Sequence, residues 1–367
     1  MIAPAGLSQT ESGPKDGRGR LLRRWISELG PLLALVLVFT GFALAESAMS
    51  GRSVFTSSDN IRTMLVNSSV VGICALGMTV VIIAGGIDLS VGTGIALCAT
   101  VLAAALLNGM PAVPALLLTL LAGTLLGVVN GLLVSLLRVV PFIVTLGTMT
   151  IFLGAAKLLA TYASNSQTVR PNPETQVPPA LLALLSTRNA ALWPTELTGN
   201  SAIDGWYDYL RHPAGLWCGL LLALSVAALL RYSIFGRYVY ALGSNEATAR
   251  LCGVNVPLNR IAVYAVCGLF VGLAGIYQFS RLSSGNPTSG LGLELKVIAA
   301  VVIGGGSLSG GRGSVLGTLA GAAMMSVISS GCTQLELSND VQDIIIGAVI
   351  IAAVSLDQWR QRRGQTS

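Results

Sequence analysis

The sequence predicts an all-α, polytopic membrane protein of about ten transmembrane helices, and three observations carry that reading. Apolar runs of about 20 residues recur along nearly the whole chain, the length a helix needs to cross the hydrocarbon core of a bilayer. Only 10% of the 367 residues are charged, 53% are hydrophobic, and the mean hydropathy is +0.74. A soluble domain carries roughly a quarter charged residues. Finally, the basic residues fall between the apolar runs and form no aromatic-interleaved patch, which argues against nucleic acid as a partner.

The expected spans are 29–48, 63–84, 89–107, 113–137, 140–161, 214–230, 261–283, 293–306, 314–332 and 341–356. Backbone groups in lipid must be paired within their own segment, so helices are the only option for such continuous apolar runs. The third and eighth spans are short and interrupted by glycine. Residues 1–28 form a polar, basic tail (Lys15, Arg18, Arg20, Arg23, Arg24) expected to be disordered, with no cleavage site after the first apolar run. Residues 29–357 form the transmembrane domain and 358–367 a second tail.

Positively charged residues favour the cytoplasmic side. With both ends of the chain inside, the tails, Arg138, Arg231, Arg237, Arg250, Arg260 and Arg312 place 14 of the 22 Lys and Arg in the cytoplasm. The expected location is therefore an inner membrane, multi-pass, with both termini cytoplasmic.

Two polar segments interrupt the apolar pattern. Residues 163–213 form a long outer loop rich in Pro, with an apolar stretch at Ala180–Leu185 and the aromatics Trp193, Trp206, Tyr207 and Tyr209. These aromatics serve either as interface anchors or as a docking surface. Residues 231–260 form a cytoplasmic loop of different character. In it Asn245 is placed to cap a short helix, Glu246 sits in the first turn at the positive end of the dipole, and Gly253 stops the helix. That helix presents Glu246, Arg250 and Leu251 to whatever docks beneath it, unless it is an ordinary solvated connector.

Metal and nucleotide chemistry find little support. The six cysteines have no CxxC spacing and the single histidine, His212, has no companion ligand, so no metal site is expected. Gly304–Gly313 is glycine-rich but lacks the Lys-Ser/Thr of a phosphate loop. There is no HExxH or GxSxG for a membrane enzyme.

Asp88 is the sharpest polar feature inside the apolar pattern. It either faces a hydrated break in a span or caps the helix that follows Gly85-Gly86-Ile87-Asp88-Leu89-Ser90. Gly304–Gly313 loosely echoes Gly85–Gly94, a weak internal repeat of the kind seen in transporters. Asn67, Ser68, Ser69, Asn130, Phe142, Thr145, Thr148 and Gln278, with Asp88, are candidates for lining a passage, and each polar one has an interhelical hydrogen bond as its plainer role. Glu294 and Lys296 are expected at an outer helix end beside Asn286, open to a partner or paired with each other.

Several stretches resemble one family. The loop Gly236-Arg237-Tyr238-Val239-Tyr240-Ala241-Leu242-Gly243 through Asn245, Glu246, Ala247, Arg250 and Gly253 is similar to the coupling loop of ribose/galactose/xylose-type ABC importer permeases. Gly85–Gly92, Asn130-Gly131, Pro141–Gly147, Ala299–Leu308 and Gly310–Gly313 match in the same order, from about residue 60 onward. The 163–213 loop is longer than usual for the family, and Gly253 lies one position off the general importer register. The resemblance implies a permease subunit for a pentose or hexose. Its partners would be a second permease copy or paralogue, a cytoplasmic ABC ATPase and a periplasmic sugar-binding protein, with ATP and Mg held by the ATPase and no cofactor by this chain. An ion-coupled secondary carrier is the alternative, and it would need an ionisable membrane site beyond Asp88.

Overall fold

A computed structural model describes residues 17–50, 54–185 and 214–365. Thirteen helices lie among them: α1 Gly17–Ser50, α2 Ser58–Ile83, α3 Val91–Leu107, α4 Ala112–Leu137, α5 Pro141–Ser164, α6 Pro179–Ala183, α7 Ala214–Tyr232, α8 Ile234–Ser244, α9 Glu246–Leu251, α10 Val256–Leu282, α11 Leu293–Ile303, α12 Val315–Gln334 and α13 Asn339–Gln365. Every one of the ten expected segments falls on a helix. Seven, however, are long and apolar enough to cross a bilayer: α1, α2, α4, α5, α7, α10 and α12. The helix α1 begins at Gly17, so the expected disordered tail is helical from there; residues 1–16 lie outside the described part.

Helix starts follow local chemistry. The side chains of Ser57, Ser233, Asn245, Asn255 and Ser314 each accept a hydrogen bond from a backbone N–H in the first turn of α2, α8, α9, α10 and α12. Two ends repeat one another in detail. At the end of α2, Gly85 N donates to Ile82 O and Gly86 N to Val81 O; at the end of α11, Gly305 N donates to Val302 O and Gly306 N to Val301 O. Gly85 and Gly305 have φ of 80° and 90°, the left-handed conformation such a C-terminal motif requires. The weak sequence repeat thus marks two equivalent helix stops.

The core is built on α2, α10 and α12, while α1, α4, α5 and α7 surround it. The outer helices carry continuous exposed apolar stripes, such as Leu117, Leu121, Leu125, Leu132 and Leu136 on α4. A surface of that kind is matched to lipid rather than water. Lipid supplies no hydrophobic drive for helix association, so the interior relies on close packing and interhelical hydrogen bonds. Thr79 bonds Thr318 at 2.8 Å and Ser326 donates to Met64 O at 2.6 Å, joining α2 to α12 near both ends. Between α4 and α10, Gly123, Gly127 and Gly131 face Gly268, Gly272 and Ile261. A Cβ on Gly123 would stand 2.6 Å from Gly272 Cα, and one on Gly127 would collide with the Tyr264 carbonyl.

Two apolar segments do not cross by themselves. The 11 residues of α11 rise about 16 Å and the 17 of α3 about 25 Å, against a hydrocarbon core of about 30 Å. Their N-terminal ends meet: Gly92 packs on Gly290 and Glu294, and Gly94 lies beside Val271, midway along α10. The early part of the long loop is also ordered against the bundle. Val169 pairs with Gly285, Gln176 donates to Leu107 O at 3.1 Å, and Leu181 and Leu185 on and after α6 are buried. The aromatics Trp193, Trp206, Tyr207 and Tyr209, and His212, fall outside the described residues.

Replacing Gly127 by Val should overpack the α4–α10 contact and destabilise the protein by about 1–3 kcal/mol. Thermal unfolding in detergent would show a lowered midpoint; an unchanged midpoint would mean that this contact is looser than its geometry.

Candidate functional site: a broken-helix junction and the helical elbow beneath it

The loop 84–90 passes between the end of α2 and the start of α3 inside the protein, so its polar groups need partners from neighbouring helices. Asp88 is 3% exposed. Its Oδ1 accepts from Ser90 N at 2.9 Å and Ser90 Oγ at 2.6 Å, and Asn130 Nδ2, from α4, donates to Asp88 Oδ2 at 3.2 Å and to Ser90 Oγ at 2.8 Å. The Ile87 carbonyl accepts from Tyr264 of α10 at 3.3 Å. The hydroxyl of Thr145, on α5, sits between the carbonyls of Ile87 (3.3 Å) and Pro141 (3.0 Å).

Three of the residues singled out in the sequence, Asp88, Asn130 and Thr145, therefore converge on one loop. They clamp it to α4 and α5 just ahead of α3. Free space beside them amounts to about 10 Å³, roughly one water, and Asn130 Oδ1 is buried without a protein partner. Asp88 caps no N–H within α3: its partners are Ser90, the residue just before that helix, and Asn130, so neither expected reading describes its geometry.

The other candidates lie elsewhere. Gln278 and Asn67, with Ser68, border a cavity of about 160 Å³ together with Arg281 and Lys296, between α2, α10, α11 and α12. Arg281 donates to Asn67 Oδ1 at 3.3 Å, Gln278 donates to Ser289 O at 3.3 Å, and Gln278 Oε1 is buried without a partner. Ser69 bonds back to Leu65 O at 3.0 Å and lines a separate, apolar cavity of about 290 Å³ with Trp217 and Leu319. Thr148 bonds within its own helix, to Thr145 O at 3.2 Å. Phe142 is 47% exposed on the lipid-type surface of α5.

Glu294 departs from expectation. It is buried in the first turn of α11, where Oε1 accepts from Gly292 N at 3.1 Å and Oε2 lies against Gly92. A carboxylate there sits at the positive end of a helix dipole, inside the protein, and is closed to an outer partner.

The polar segment 231–260 holds two helices where the sequence indicated one. Asn245 Oδ1 accepts from Thr248 N at 2.9 Å and Gly253, at φ 84°, follows α9, as expected. The preceding stretch also folds, as α8, because Ser233 caps it by accepting from Gly236 N at 2.9 Å. Glu246 is less available than its place in the sequence indicated: it binds Arg250 at 2.9 Å and Arg260 at 2.7 Å, tying α9 to α10. Arg237 is exposed on α8, Ala247 is exposed on α9, and Leu251, 89% exposed, is the apolar tip. Gly236 packs on the Leu229 and Leu230 carbonyls at the α7–α8 corner.

What sequence reasoning missed is how this elbow reaches the bundle. Gly243 of α8 lies between the end of α2 and the Gly310-Gly311 turn that leads into α12. A Cβ on it would collide with the Ile83 carbonyl and stand 2.5 Å from Gly311 N. Gly311 N itself donates to Ile83 O at 2.8 Å, and a Cβ on Gly310 would stand 3.0 Å from Gly85 Cα. One glycine thus contacts the glycine stop of α2 and the glycine turn between α11 and α12 at once. The available signal was Gly243 itself, a helix-weakening residue inside an otherwise helical stretch.

A lipid-faced helical bundle with two broken spans, and a capped elbow wedged beneath both breaks, has the build of a membrane transport subunit. The chain belongs to the family described as branched-chain amino acid transport system / permease component, whose model matches residues 60–354. It is 35% identical to the ribose import permease protein RbsC of Escherichia coli (strain K12) over 349 residues, covering 94% of this chain and 98% of that one. It is likewise 35% identical to the RbsC of Bacillus subtilis (strain 168), covering 91% and 93%. The xylose transport system permease protein XylH of Escherichia coli (strain K12) is 32% identical, with 97% of each chain covered. No solved structure matches.

Replacing Asp88 by Ala should leave the Ser90 N–H and hydroxyl without their acceptor inside the bundle and take one of two acceptors from the Asn130 amide, at a cost of about 1–3 kcal/mol. A thermal midpoint in detergent that did not fall would show that the loop is held by other contacts.

Proposed function

We propose that this chain is the membrane-spanning subunit of an ATP-driven importer for a monosaccharide, a pentose or hexose handed over by a periplasmic binding protein. The class of cargo is carried by the nearly full-length similarity to import permeases named for ribose and xylose. The mechanism rests on one observation, the seating of Gly243 against the end of α2 and the Gly310-Gly311 turn between α11 and α12. In this reading α3, α11 and α13 complete ten crossings, and both termini, Arg138 and the elbow α8–α9 face the cytoplasm, the side favoured by the arginines.

ATP and Mg belong to a separate ATPase, since the chain has no GxxxxGK[ST] and its glycine-rich 304–313 segment serves as a helix stop. That ATPase docks on α9, with Arg250 and Leu251 as contacts and the Glu246–Arg260 pair making α9 and the foot of α10 move together. Displacement of the elbow is passed by Gly243 to the α2–α3 break and to the segment after α11. A second permease, as an identical copy or a paralogue, completes the passage. Asn67 and Gln278 at the polar cavity offer uncharged groups suited to sugar hydroxyls, while Asp88, Asn130 and Thr145 hold the break they border.

Reconstituted with its ATPase and binding protein, the complex should take up sugar in a vanadate-sensitive manner, indifferent to a proton uncoupler. The reverse pattern would make it an ion-coupled carrier and overturn the proposal. Gly243→Val should cut uptake at least tenfold while ATP hydrolysis persists, because a side chain there separates the elbow from the end of α2 and the Gly310-Gly311 turn; each factor of ten corresponds to about 1.4 kcal/mol. Arg250→Ala should also uncouple hydrolysis from uptake. Full transport by both variants would remove the coupling assignment.

A further inference from the structure

A cleft of about 580 Å³ opens between the α4–α5 turn and the α9–α10 elbow, and its walls hold Arg138, Arg250, Arg260 and Glu246. Three arginines against one glutamate leave two positive charges in surplus. Glu246 is already engaged by Arg250 and Arg260. Arg138 pairs with no carboxylate among the described residues. It closes α4 in the left-handed conformation (φ 53°), uncommon for a residue other than glycine.

The surroundings specify what kind of anion fits. Leu136, Leu137, Val140 and Leu258 are all exposed next to the charged groups in sequence. Val139, Val140, Pro141 and Pro257 line the cleft together with the arginines, so its wall is part apolar and part charged, and a wholly water-soluble ligand would leave the apolar part unused. Its volume is in the range of organic-ligand sites and far above that of a simple ion. Basic pockets between helices at a membrane surface recognise anionic headgroups, and guanidinium groups match phosphate oxygens in geometry.

We propose that this cleft binds the phosphate of an anionic phospholipid, with its acyl chains lying along the exposed apolar residues of the α4–α5 corner. Free phosphate esters share that headgroup chemistry, and the apolar flank is what favours the lipid. The inference requires only that the chain spans a membrane and is independent of the cargo. A bound phosphate engages Arg138 and shares Arg260 with Glu246, so the lipid would alter the contact that fastens α9 to α10.

The test is native mass spectrometry of the purified full-length protein with phosphatidylglycerol, phosphatidylcholine of the same chains, or glycerol 3-phosphate. Phosphatidylglycerol should be retained in preference to phosphatidylcholine. Arg138→Gln should weaken its retention about fivefold, the effect of one basic residue near a membrane surface, while Arg138→Lys keeps most of it. Equal retention of the two lipids overturns the proposal, as does an Arg138→Gln protein that binds like the wild type. Glycerol 3-phosphate bound as tightly as the lipid would assign the cleft to a soluble phosphate and overturn it too. So would complete loss of the lipid on binding of the ATPase, which would give the arginines to that partner.

Discussion

Backbone hydrogen bonding without water is the constraint on which this structure depends. A helix that crosses a bilayer satisfies its own N–H and C=O groups, but one that stops within the protein leaves several of each exposed. Here two apolar segments, α3 and α11, are too short to cross alone, and their N-terminal ends meet beside the middle of α10. The structure resolves the resulting need with matched devices. Glycine-terminated motifs close α2 and α11, and side chains from three other helices reach the loop between α2 and α3. Asp88, Ser90 and Asn130 act as one network, in which every member except the Asn130 carbonyl oxygen has a protein partner. Low polarity makes such a network strong when complete and costly when broken.

Packing follows from the same absence of water. With no hydrophobic drive between helices in lipid, attraction grows with how closely backbones approach. The α4–α10 glycine contact supplies that inside the bundle, and Gly243, Gly310 and Gly311 supply it where the elbow meets the broken spans. These two sets differ in consequence. The first is a long interface between two full helices and acts as scaffold. The second is a small glycine-lined junction, so a modest movement of α8 is felt by the end of α2 and by the turn between α11 and α12 together.

Charge is distributed to suit this division. Glu294 and Asp88, the acidic groups at the starts of α11 and α3, lie at the positive ends of their helices and are enclosed. The arginines of the α4–α5 turn and of the elbow lie at the surface, two of them sharing Glu246. The elbow is therefore firmly tied to the foot of α10 on one side and joined to the helix breaks by glycine contacts on the other. Family membership places such an arrangement in a permease.

The positions of the ten apolar segments, the Asn245 cap, the Gly253 stop and the paired glycine-rich ends were legible in the chain, because apolar period, capping and left-handed backbone are local properties written in a few consecutive residues. The resemblance of the 236–253 loop likewise lay in contiguous residues. What only the tertiary structure decided was which polar groups meet. Asp88, Asn130 and Thr145 turned out to share one loop, Gln278 and Arg281 of α10 met Asn67 of α2 at one cavity, and Glu294 was enclosed against Gly92 instead of standing at an outer edge. It also decided that Glu246 is held by Arg260 and that Gly243 touches both breaks. Such encounters join residues far apart in sequence. They depend on the depth and rotation of each helix, which apolar composition leaves open, since any sufficiently greasy face satisfies lipid equally well.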